Sequence, residues 1–186
     1  MTAAPAGSVP GALLIGTRDG FGLEFHLERD RQLLCVDVFV GGLHVNAWDD
    51  AFYPPLLVKK LEGELRRFGA PPEPPPEGFT SAPESFRAAE RWMHEGEGEG
   101  DGFARYEFLE WGECTDQVTA FAFPDGESVH LAARVREVGG GEGEPVVVSV
   151  GRGELVETLE RGLAVAGREW AARLAVPADR SGTGSD

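Results

Sequence analysis

FGLEFHLERDRQLLCVDVFVGGLHV, residues 21–45, is the stretch on which the fold turns. Phe21, Leu23, Phe25 and Leu27 alternate with Gly22, Glu24, His26 and Glu28, the period of two expected of a half-buried strand. Gln32 to Val40 reads as a second strand. Leu34, Val36, Val38 and Val40 line one of its faces, and Leu33, Cys35 and Phe39 make the other apolar too, which places it centrally in a sheet. Gly41-Gly42 supplies the positive φ of a tight hairpin turn, and Leu43, Val45 and Ala47 continue as the partner strand. A short strand over Ala12–Thr17 precedes them. Connections this short allow only antiparallel pairing, so the block is a meander.

Downstream the period changes from two to 3.6. Pro54-Pro55 suits the first turn of a helix and no later one. Asp49 and Asp50 stand just upstream, where negative charge favours a helix N-terminus. Leu57, Leu61, Leu65 and Phe68 then recur at helical spacing, Arg66 and Arg67 occupy the last turn, and Gly69 ends it. The proline-rich residues 70–79 follow as an extended polyproline spacer. Ser81-Ala82-Pro83-Glu84 has the form of a capping box and opens a short helix with Phe86, Ala89 and Met93 on one face. Alternating glycine and acid over residues 94–102 makes a charged, flexible loop.

A second meander is expected from Phe103–Trp111, Gln117–Phe123, Ser128–Arg136 and Pro145–Val150, with Pro124-Asp125-Gly126 as a turn. A last amphipathic helix runs over roughly Glu154–Leu174, with Leu155, Leu159, Leu163, Ala166, Trp170 and Leu174 as its stripe. The fold class is therefore α+β: antiparallel meanders, each followed by a helix packed on one face of the sheet. Residues 11–175 read as a single domain, its sub-blocks 12–69 and 80–175 joined by the spacer, with disordered tails at 1–10 and 176–186.

Charge limits the function. Thirty-two acids against seventeen bases give −15, so phosphate backbones and anionic membranes repel the chain. Neither nucleic acid nor membrane is an expected partner; a basic protein is. Two cysteines, no apolar leader and no run long enough to span a bilayer predict a cytoplasmic protein with reduced thiols.

Chemistry-bearing motifs are sparse. The glycine clusters follow no phosphate-binding pattern. Cys35 and Cys114 stand alone, and His26, His44, His94 and His130 show no ligand spacing, so neither metal nor other cofactor is expected. Glu95, Glu97, Glu99 and Asp101 could wrap calcium but lack the ordered loop that such a site uses; solvated charge is the favoured reading. Acidic neighbours disfavour Cys114 as a nucleophile. No catalytic residue is assigned.

The distinctive segment is RYEFLEWGECTDQVTAFAFPDG, residues 105–126. Residues 95–116 carry eight acids and one arginine, seven of the fifteen net negative charges. One reading is a structured loop anchored by Trp111. The other is a partner-binding edge made by Glu107, Glu110, Trp111, Glu113 and Asp116, in which acid and exposed aromatic occupy a basic cleft.

The hairpin LLCVDVFVGGLHVNAWDD, the helix opening FYPP and the later EFLEWGECTD resemble small uncharacterised proteins of high-GC bacteria. The layout also resembles the immunity proteins of polymorphic-toxin systems, which are small, acidic and cytoplasmic and block a cognate toxin. That resemblance implies a non-enzymatic binding protein, toxin-neutralising or regulatory. A small hydrolase using dispersed carboxylates and a structural subunit of a homo-oligomer stand as alternatives.

Overall fold

In the computed structural model the described residues are 11–95, 102–136, 141 and 143–175; both tails and most of the glycine–acid loop lie outside them. Five strands form the first antiparallel sheet: β1 (Ala12–Gly16), β2 (Phe21–His26), β3 (Leu34–Val40), β4 (Leu43–His44) and β5 (Ala51–Phe52). The order is β1-β2-β3-β4, with β5 also paired to β3. The period of two sets the register. Phe21↔Val40, Leu23↔Val38 and Phe25↔Val36 face the core, while Gly22↔Phe39, Glu24↔Asp37 and His26↔Cys35 face the other way.

Two expectations change here. β2 is not half-buried: Glu24 on its second face is also buried, under an ion pair with Arg18. Nor do Leu43 to Ala47 make one continuous partner strand. β4 ends at His44, and Asn46 takes over the ladder with its side chain. Asn46 Oδ1 accepts from the Val38 amide at 2.8 Å, and its Nδ2 donates to the Val36 carbonyl at 2.8 Å. A buried side-chain amide thus supplies the donor and acceptor that a further strand residue would have supplied.

The second block forms a separate sheet of three strands, β6 (Val118–Asp125), β7 (Ser128–Val135) and β8 (Val146–Gly151), in that order and antiparallel. The two meanders therefore do not share a continuous ladder. α1 (Pro54–Gly69) and α3 (Arg152–Ala175) pack on each other. Leu57, Leu61, Leu155 and Leu159 join Leu23, Val36 and Val38 of the first sheet and Ala122, Leu131 and Ala133 of the second in one apolar cluster. α2 (Ala82–Glu95) covers the opposite face of the second sheet, where Phe86 and Ala89 meet Phe121, Phe123 and Tyr106.

The helix ends follow their residues closely. Ser81 and Glu84 close the capping box, and the Glu84 amide lies 3.4 Å from Ser81 Oγ. Met93, expected on the buried face of α2, is exposed, and so is Leu174 at the end of α3, where the stripe has run past the core. Asp49 and Asp50 do not serve the α1 dipole. Tyr53 precedes the helix, its first turn holds no acid, and both aspartates bond elsewhere.

Candidate functional site

Residues 103–111 do not form the expected strand. A 3₁₀ turn over Ala104–Tyr106 leads to a single bridge, Glu107↔Phe121, with the Phe108 amide donating to the Ala120 carbonyl at 2.9 Å. Leu109 then takes a φ of 64°, and Gly112, at a φ of 96°, opens a second 3₁₀ turn over Glu113–Thr115. Strand geometry sends successive side chains to opposite faces, yet Phe108 and Leu109 both enter the larger cluster while Tyr106 enters the smaller one. Burying them all requires the chain to twist out of extended geometry.

Trp111 is only 1% exposed, so it is the anchor of this loop and not its surface. Its ring meets Phe52 at 6.4 Å and Phe108 at 6.5 Å, near perpendicular in both contacts. Its amide donates to Thr115 Oγ1 at 3.0 Å, and that hydroxyl donates to the Gly112 carbonyl at 3.0 Å, which closes the turn. The indole faces the Glu64 carboxyl without completing a well-formed hydrogen bond. Burial raises the Glu64 carboxyl above its ordinary value, against the opposing pull of Arg67. Glu110, Glu113 and Asp116 stand exposed; Glu107 is half-buried and raised by burial and then by Glu110. The Glu97, Glu99 and Asp101 carboxylates considered for calcium lie outside the described residues.

A second turn meets this loop. Cys114 lies near the Asp49 carboxylate, and its thiol is pushed up to about 12, first by partial burial and then by the charge of Asp49. At Gly112 a β-carbon would come within 2.9 Å of Leu56, so α1 approaches the loop as closely as glycine permits. The turn that carries Glu113 and Cys114 thus lies near the Asp49 turn, and on the Asp49 stretch of chain Trp48 is 61% exposed and Tyr53 63% exposed. Trp111 is therefore not the exposed aromatic expected of a binding edge; the exposed rings of this region are Trp48 and Tyr53. The sequence signal for them was available: Trp48 precedes two aspartates, and Tyr53 precedes the helix-opening prolines, both positions outside any apolar periodicity.

The second face of the first sheet carries the other concentration of chemistry, and neither apolar cluster includes a residue of it. His26 Nε2 lies 2.9 Å from Asp37 Oδ2, and His44 Nε2 lies 3.2 Å from Asp37 Oδ1. Burial opposes the ionised form of Asp37, but the two imidazoles outweigh it and hold the carboxyl at about 2. Asp50 pairs with Arg29 beside them. Cys35, cross-strand from His26, is buried, and burial raises its thiol. Spacing along the chain hid this group because the β2–β3 and β3–β4 hairpins bring its members together.

Comparison with protein-family models, with curated proteins and with solved structures finds no match to the chain. Among the described residues no helix is long and apolar enough to cross a membrane.

Proposed function

We propose that this protein is a non-enzymatic binding protein that receives a basic protein partner on the surface around Trp48, Tyr53, Asp49, Glu110, Glu113 and Asp116. A toxin-neutralising role of the immunity-protein kind, or a regulatory one, is the specific form of that reading. The observation that supports it is the proximity of Cys114 to Asp49, which brings two acid-bearing turns near each other where the chain also exposes Trp48 and Tyr53. Large aromatics anchor interfaces when desolvated, and surrounding charge steers a partner of opposite sign. The carboxylates on this surface are exposed, which suits attraction at a distance better than general acid–base work in a desolvated pocket.

The experiment is capture of partners on the tagged chain from a lysate of its source at low salt. The expected result is a basic protein in stoichiometric amount, released as ionic strength shortens the screening length. Recovery of no stoichiometric protein counts against the reading.

One observation favours a homo-oligomer as a second reading. β1 has no strand on its outer side among the described residues, and Leu13 and Leu14 on it are exposed. Light scattering that returns the 20.0 kDa mass of one chain at all concentrations removes it.

A further inference from the structure

We propose that His26, Asp37 and Asp50, with His44 beside them, bind a divalent transition-metal ion of the zinc class. His26 comes from β2, Asp37 from β3 and Asp50 from the residue before β5, so three separate segments converge on one point. One ligand atom from each lies within 4.8 Å of the other two. Tetrahedral zinc bonded at about 2.0–2.2 Å sets its donors roughly 3.3–3.5 Å apart. The 2.9 Å between His26 Nε2 and Asp37 Oδ2 and the 4.8 Å outer limit bracket that spacing, so small side-chain rotations suffice.

The donor set selects the metal. One or two imidazoles with two carboxylates suit zinc and its neighbours, whereas calcium and magnesium call for more oxygen. The three side chains are 11–19% exposed, which leaves a path for the ion while excluding most water.

An independent observation comes from His44. Its Nε2 is shielded from solvent and stands 3.2 Å from Asp37 Oδ1 without completing a well-formed hydrogen bond. A shielded imidazole nitrogen with only a poorly aligned carboxylate contact, beside a carboxylate that already serves a second imidazole, is a donor set that a cation would complete. Arg29 now balances Asp50, but that guanidinium is largely exposed, and an exposed pair yields readily to a metal.

The test is calorimetric titration of the chelator-treated, full-length chain with zinc chloride, alongside the visible spectrum on adding cobalt(II). One saturable site of micromolar or tighter affinity is expected, with the absorption of tetrahedral cobalt. Asp50→Asn and His26→Gln should each weaken it by at least about ten-fold, while His130→Gln, on the second sheet, leaves it unchanged. Failure to saturate below millimolar metal, or equal affinity in the wild type and Asp50→Asn, overturns the proposal. Circular dichroism of each variant accompanies the titration. Asp50→Asn decides the matter if His26→Gln does not fold, because Asp50 pairs with an exposed arginine.

Discussion

Cys114 is the residue through which the proposed surface can be read. Its thiol is raised first by partial burial and then by the negative charge of Asp49. A thiol held near 12 is almost wholly protonated at neutral pH and reacts slowly. Replacing Asp49 with asparagine removes the charge, and iodoacetamide labelling of the Cys114 peptide should then accelerate by about ten-fold, one unit of pKa. An unchanged rate would mean that the two turns do not meet. Asp37 gives a second residue-scale test. Its folded-state value, about 2, lies below the ordinary 3.8. The resulting stabilisation is complete above the higher value and is lost as the pH falls through the lower one. It amounts to about 2 kcal/mol. Urea unfolding from pH 5 to pH 2 should therefore show a steeper loss in the wild type than in Asp37→Asn; parallel curves would contradict the assignment. Neither residue was legible as a site in the sequence. Cys114 pairs with a residue 65 positions away, and Asp37 gains its histidines only through strand register.

At the scale of elements, local chemistry was legible wherever a single stretch decided the outcome. The period-two alternation of β2 and β3, the Gly41-Gly42 turn, the prolines opening α1 and the Ser81–Glu84 cap all form as their residues require. Elements that depend on distant partners were not legible. The 103–111 segment carries strand-like composition, but its aromatics serve two clusters on different sides of the second sheet. The β4 partner of β3 is cut short at His44 because Asn46, 2% exposed, substitutes for backbone. Asn46→Ala leaves the Val38 amide and the Val36 carbonyl without those partners in the interior. It should cost about 2–4 kcal/mol, read as a lower urea midpoint with an unchanged slope. A change below about 0.5 kcal/mol would show that the side chain is not part of the ladder.

Over the whole molecule, two sheets meet around α1 and α3, while α2 closes the far side of the second sheet. The fold class was legible from the sequence because meander and helix alternate along it. The separation of the sheets was not, because strand patterns fix faces and not neighbours. Charge behaves in the same way. The −15 of the chain disfavours anionic partners without naming a surface, and the fold then sets the Asp49 turn beside the Glu113 turn. Acid alone would attract any cation, so the central claim rests on the rings that accompany it. The most direct measurement is parallel low-salt capture by the wild-type chain and by Trp48→Ala/Tyr53→Ala, a variant that leaves every charge in place. The account predicts a stoichiometric basic partner on the wild type, weakened by more than about 2 kcal/mol in the variant. A partner retained equally by both, or none retained by the wild type, would contradict it.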